Sequence, residues 1–267
     1  MVFAAGLNNS GIALAVFDTD GRLMFRSNIS ADGNRCEDEY LLQLKSIFSL
    51  YGVDPGKAEG AIISSVVPPL TNVFSSAAAR LLGCRPMLVG PGIKTGLDIK
   101  IDHHSQLGSD LVANTVAASA LYPKPFIIID MGTATTFTMV NAKSELCGVI
   151  ILPGVRIALD ALSAKAAELP YISLDSPKAL LGTNTVDAMN SGIIYGTASM
   201  LDGLIDRLTD EFNDTGLSVV VTGELANHII PYCRHKMTYA PNLLLEGLYM
   251  LYRRNQKKHK TDVKAYQ

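Results

Sequence analysis

The chain has 267 residues, 48% of them hydrophobic and 18% charged, which predicts a globular protein with a sizeable core, in one large domain or two compact ones, and excludes a disordered chain. Its formal net charge of -2 offers no electrostatic footprint for nucleic acid or an anionic membrane, so small-molecule partners are expected. Cys36, Cys84, Cys147 and Cys233 are widely spaced without a C-x-x-C pair, and neither a basic leader nor a long apolar span is present, so the expectation is a cytoplasmic protein without disulfides, zinc or a membrane segment.

In chain order, MVFAAG, GIALAVFD, the turn Asp18 to Gly21 and RLMFRSNI predict a three-stranded antiparallel meander. EDEYLLQLKSIFSLYG has acids at its start and apolar residues at Leu41, Leu42, Leu44, Ile47 and Phe48, a helix ended by Gly52. AEGAIISSVVPP reads as a buried strand stopped by Pro68 and Pro69, followed by a helix over LTNVFSSAAARLLG, a short strand PMLVG and the turn PGIKTG. The Ala-rich helix SDLVANTVAASALY leads into FIIIDMGTATTF and TMVNAKSELCGVIIL, again strand, turn, strand, turn, strand. Helices follow over VRIALDALSAKAAEL, NTVDAMNSGIIYGTASMLDGLIDRLTDEF and LLLEGLYMLYRR, with the buried strand LSVVVTGE between the last two. The basic tail RRNQKKHKTDVKAYQ lacks apolar periodicity and reads as a frayed terminus.

Aligning Phe17 with Val140 sets AVFDTDGRL against TMVNAKSEL and brings the small, polar turns LNNSG and MGTATT to nearly equal spacing upstream. Either two hairpins are alike by chance, or the chain holds two copies of one α/β domain facing each other across a cleft.

The motifs point toward phosphate chemistry. In Asp130-Met-Gly-Thr-Ala-Thr-Thr-Phe137, Gly132 permits a tight turn, Thr133, Thr135 and Thr136 supply N–H and hydroxyl donors, and Asp130 can hold a cation or a water. The same residues also suit a Thr-rich hairpin with Asp130 capping its turn. Asn8, Asn9 and Ser10 are equivalent donors without an acid, and also ordinary turn chemistry. Gly108-Ser-Asp110 opens a helix, where Asp110 is either a first-turn acid or a general base near a phosphate-binding turn. Gly182-Thr-Asn-Thr185 reads first as a helix start and packing face, and second as a ligand segment. Val219 to Glu224 ends a buried strand at Thr222-Gly223, the end of a strand where α/β sheets bind ligands. The histidines show no ligand spacing, and the pair His103-His104 reads as solvated loop.

Taken in order, ISSVVPPLTN, VGPGIKTGL, GSDLVAN, IDMGTATTF, LPG, GTNTVDAMNSGIIYG, VVTGELA and APNLLLEGLYMLY resemble the type III pantothenate kinases of the acetate and sugar kinase, Hsp70 and actin superfamily, from residue 1 to about residue 255. The resemblance implies duplicated actin-like, ribonuclease H-like α/β domains: residues 1–115 with the first phosphate turn, 116–255 with the second phosphate and adenosine motifs, and a disordered basic tail over 256–267. It implies transfer of the γ-phosphate of ATP to the terminal hydroxyl of pantothenate at the start of coenzyme A synthesis, with Mg²⁺ and a monovalent cation, K⁺ or NH₄⁺. Carried over by position, Asp110 is the base, and Gly108 and Ser109 accompany it at the substrate. Asn8, Asn9, Ser10, Gly132, Thr133 and Thr135 meet the phosphates, Asp130 the monovalent cation, Thr185 pantothenate, and Thr222 and Gly223 the adenosine. A homodimer with its substrate pocket between subunits is implied, or a heterodimer with an intact paralogue.

The chain departs from that pattern where the family begins D-x-G-N-T, because Gly6-Leu7-Asn8-Asn9-Ser10 stands there. Leu111 replaces the arginine of G-x-D-R, expected at the pantothenate carboxylate, and cannot donate a hydrogen bond or offer charge. Thr138, Glu224 and Ala240 are further departures, at an acid, a glycine and an acid. The alternative readings are an impaired paralogue acting as a regulatory or heterodimer subunit, and a superfamily kinase for another small molecule.

Overall fold

The structure, a computed structural model, describes residues 1–103, 107–213 and 216–262, with side chains through Gln256. His104, half of the expected solvated pair, lies outside the described residues. In chain order the elements are β1 (Val2–Leu7), β2 (Gly11–Phe17), β3 (Leu23–Ser30), α1 (Glu37–Leu50), β4 (Gly60–Ser65), α2 (Pro68–Leu82), β5 (Met87–Leu88), β6 (Asp98–Ile99) and α3 (Ser109–Leu121). There follow β7 (Phe126–Met131), β8 (Ala134–Val140), β9 (Glu145–Pro153), α4 (Val155–Lys165), α5 (Thr185–Phe212), β10 (Ser218–Thr222), α6 (Ala226–Ile229), β11 (Thr238–Tyr239) and α7 (Leu243–Asp262).

These elements form two compact units, one of residues 1–97, 102–120 and Asn242 onward, the other of 98–101 and 121–241. In the first, the sheet order is β3-β2-β1-β4-β5, with the β1 to β3 meander antiparallel and β4 and β5 added in parallel. In the second, β9-β8-β7-β10-β11 repeats that order and those directions, with β6 appended at the β9 edge. The register slips between Val16 and Phe17 in one copy and between Met139 and Val140 in the other. These are the residues the sequence alignment pairs, so the likeness of the two hairpins is duplication and not chance.

Every residue of β1 is buried, which is why it reads as an apolar run without alternation. Phe3, Ala5 and Leu7 pack against Tyr40, Leu44 and Phe48 of α1 and Leu70 and Phe74 of α2. Val2 and Ala4 face Val112 and Val116 of α3 and Leu245, Leu248 and Leu251 of α7. Proline at its start and Gly83 in the left-handed conformation at its end delimit α2. In the second unit Ile127, Ile129 and Met131 of β7 pack on Ile194, Ala198, Leu201 and Ile205 of α5.

The sequence reading places α7 in the second half, within 116–255, whereas its apolar face belongs to the first unit's core. Glycines permit this close packing. A Cβ on Gly60 would strike the Tyr252 phenol, and one on Gly247 would strike the backbone of Ala113. The Tyr252 hydroxyl donates to the carbonyl of Glu59 at 3.1 Å. Also against expectation, α7 continues to Asp262, through most of the tail read as frayed or disordered, while 263–267 lie outside the described residues. Helix α4 stops at Lys165, short of the predicted Leu169, where the Ser163 hydroxyl instead bonds the carbonyl of Pro170 at 2.8 Å.

Candidate active site

In the second unit, the turn between β7 and β8 is built from backbone packed at close range. The Gly132 N–H donates to the carbonyl of Ala134 at 3.1 Å, and Gly154 N–H to that of Thr133 at 3.2 Å. Gly154 has no room for a Cβ against the carbonyls of Gly132 and Thr133, and Gly223, at φ +101°, has none against the backbone of Met131. The registers Asp130 to Thr136 and Asp130 to Thr222 place these three side chains in one row on one face of the sheet. Within the protein, the hydroxyls of Thr133, Thr135 and Thr136 are buried without a hydrogen-bond partner. Buried polar groups are nearly always paired, and an orphan costs about 1–3 kcal/mol; of these hydroxyls that of Thr136 stands in the Asp130 row, while Thr135 lies beside Met131 on the opposite face of the sheet.

Also in this unit, a cavity of about 700 Å³ opens at the start of α5, with Leu162, Leu169 and Ile193 on its apolar side and Thr183, Asn184 and Thr185 on its polar side. Asn184 is the helix cap, its Oδ1 accepting from Asp187 N–H at 2.9 Å, so the cap and ligand readings of this segment meet in the same residues.

In the first unit, the β1–β2 turn closes through Asn8 N–H to the Gly11 carbonyl at 2.9 Å and leaves Asn9 and Ser10 exposed. The start of α3 is tied to the end of β4 by the Ser64 and Ser109 hydroxyls, 2.8 Å apart, and by Ser109 donating to the Ser65 carbonyl at 3.3 Å. This positions Asp110. Its Oδ1 accepts the Leu111 N–H at 2.9 Å, and Gly108 leaves room for the carboxylate by lacking a side chain. Burial pushes the Asp110 carboxyl above its ordinary 3.8, opposed by backbone hydrogen bonds from Leu111 and from Asp110 itself. Leu111 is 9% exposed and apolar.

The structure thus brings Asp130, Gly132, Thr133, Thr135, Thr222 and Gly223 to one end of the second sheet, with Thr185 at that unit's cavity. It brings Gly108, Ser109 and Asp110 beside β4, whose neighbour β1 carries the turn of Asn8, Asn9 and Ser10. Reading residues alone misses Ser64 and Gly154, which lie in ISSVVPP and LPG and carry no chemical signal of their own.

The fold is similar to that of the activator of 2-hydroxyisocaproyl-CoA dehydratase from Clostridium difficile, solved with bound ADPNP, at TM-score 0.57 and 12% identity over 100% of this chain and 98% of that one. Two copies of one sheet, each opening on a small-residue hairpin turn, define a duplicated actin-like α/β fold. The family described as type III pantothenate kinase matches residues 3–207. Type III pantothenate kinases from Bacillus cytotoxicus and an Exiguobacterium species are 38% and 39% identical to this chain, over 96% of it and 97% and 100% of their own lengths. The chain belongs to the type III pantothenate kinase family, which phosphorylates pantothenate in coenzyme A biosynthesis.

Proposed function

We propose that this chain transfers the γ-phosphoryl group of ATP to the terminal hydroxyl of pantothenate, with Asp110 as general base. As the hydroxyl oxygen bonds phosphorus and the bridge to the β-phosphate breaks, Asp110 accepts the hydroxyl proton and ADP leaves. The observation that carries this reading is the Asp110 carboxyl itself, half-buried at a helix start, raised by desolvation and held by backbone N–H groups of its own turn. The donors for the phosphates are Asn8, Asn9 and Ser10 from one turn and Gly132, Thr133 and Thr135 from the other. To Thr222 and Gly223 we assign the adenosine, and to Thr185 with the cavity beside it pantothenate.

Kinases of this chemistry carry a divalent cation on the nucleotide's phosphates. The residues of the first turn do not fit one, because its row is Gly6, Ala13 and Ser64, and among the described residues no group of three or more His, Cys, Asp or Glu could hold a metal. No step is assigned to it. The oxygens of Asp130, Thr136 and Thr222 are the hard donor set a monovalent cation such as K⁺ or NH₄⁺ prefers.

The partner we propose is a second copy of the chain. In the second unit Ile151 on β9 and Tyr171, Leu180 and Leu181 between α4 and α5 are 69%, 73%, 64% and 83% exposed, and exposed large apolar side chains of this kind favour an interaction surface. The compartment we propose is the cytoplasm; no described helix is long and apolar enough to cross a membrane. The test is mass-spectrometric detection of product from MgATP with pantothenate and with neutral analogues lacking its carboxylate, in K⁺ and in Na⁺. Product from pantothenate, favoured by K⁺, supports the reading. Product from the neutral analogues alone would assign another substrate, and none from any acceptor would favour the impaired paralogue.

A further inference from the structure

The hairpins β1–β2 and β7–β8 share one strand order and register but differ along the row that ends at their turns. Strands β1 and β7 both span six residues, and the fifth is Gly6 in one and Asp130 in the other. Across from Asp130 stand Thr136 and Thr222, and across from Gly6 stand Ala13 and Ser64. A polar row in the second unit is therefore nearly apolar in the first. Its one hydroxyl, on Ser64, is engaged with Ser109 at 2.8 Å.

The place of the missing side chain is filled. An ideal Cβ on Gly6 would lie 2.5 Å from Cδ2 and 3.3 Å from Cγ of Leu244, the second residue of α7, which packs against the core of Val2, Ala4, Leu245 and Leu248. Carbon atoms do not approach so closely, so any side chain at position 6 must displace Leu244.

We infer that Leu244 seals the first turn against a cation. The turn then meets phosphates through the neutral donors of Asn8, Asn9 and Ser10, and the cation-holding role of the duplicated site falls to the second unit's row at Asp130. This rests on reading both turns as phosphate turns, but its test needs no substrate. Leu244 is a positioning residue: it acts by excluding an acid, not by touching the reacting atoms.

The experiment is a double-mutant cycle of Gly6→Asp and Leu244→Ala in the full chain, read by thermal unfolding and by Mn²⁺ binding in electron paramagnetic resonance, without nucleotide. In the Leu244 background, Gly6→Asp should lower Tm by about 3–10 °C through overpacking and leave Mn²⁺ affinity unchanged. In the Leu244→Ala background the same change should cost far less and raise Mn²⁺ affinity about tenfold or more, since each added carboxylate strengthens an oxygen site. Equal effects in both backgrounds, or Mn²⁺ gained by Gly6→Asp alone, would overturn the inference. Should the aspartate variant not fold, the cycle with Gly6→Ala reads the steric half. Alanine in a strand otherwise gains stability over glycine, so a loss confined to the Leu244 background supports the seal and a gain in both removes it. Product formation by the unaltered chain reports separately on the proposed kinase activity.

Discussion

Two side chains illustrate how environment separates roles among similar residues. Asp110 is half-buried and desolvation raises its carboxyl from the ordinary value, which suits a base that must accept a proton and not hold one too weakly. The ionised form is the active one, so raising its pKa moves the acidic limb of a kcat/KM profile upward. We predict that this limb falls above 3.8, and a limb at or below that value would show that burial does not control it. Thr135 carries a buried hydroxyl with no partner in the protein. Replacing it with the isosteric Val removes an unsatisfied group, so Tm should hold or rise by a few degrees. If that hydroxyl serves phosphate, the KM for ATP rises about fivefold or more in the same variant. A lower Tm with unchanged KM would assign Thr135 to packing alone.

Among the elements, α7 is the one whose place the sequence does not reveal. The duplicated meanders are visible in the chain because apolar runs and turn chemistry alternate, and even the bulged positions Phe17 and Val140 align. The return of α7 to the first sheet has no local signal, since it depends on Gly60 meeting Tyr252 and Gly247 meeting Ala113. Strands β5, β6 and β11 have two residues each, too few to show a period, although the run around β5 is apolar enough to predict. Helix propensity alone would make Gly247→Ala stabilising by about 1 kcal/mol. The overlap with the Ala113 backbone reverses that sign, and we predict a loss of about 1–3 kcal/mol, seen as a lower urea midpoint with an unchanged m-value. A raised midpoint would mean that α7 and α3 separate freely.

At the scale of the whole molecule, two units repeat one sheet and have diverged in their turns. The candidate site residues of the second turn are legible because Asp130, Gly132 and the threonines have donor and acceptor chemistry that a plain hairpin does not need. Those of the first are legible only as a weakened copy, because the decisive side chain, Leu244, lies 238 positions away from Gly6 in a different element. The exposed apolar residues of the second unit argue for self-association. We predict a dimer in sedimentation equilibrium that Leu181→Asp dissociates, while a monomeric unaltered chain would contradict the proposed assembly.

The measurement that bears most directly on the account is single-turnover formation of 4′-phosphopantothenate by the unaltered chain and by Asp110→Asn, with ATP binding measured in parallel. We predict that the substitution lowers the chemical step by about 10²- to 10⁴-fold and leaves ATP affinity within about twofold, because a general base contributes to the transfer and not to holding the nucleotide. An undiminished step in Asp110→Asn would contradict the assignment of Asp110, and with it the reading of the α3 start as the acceptor end of the site.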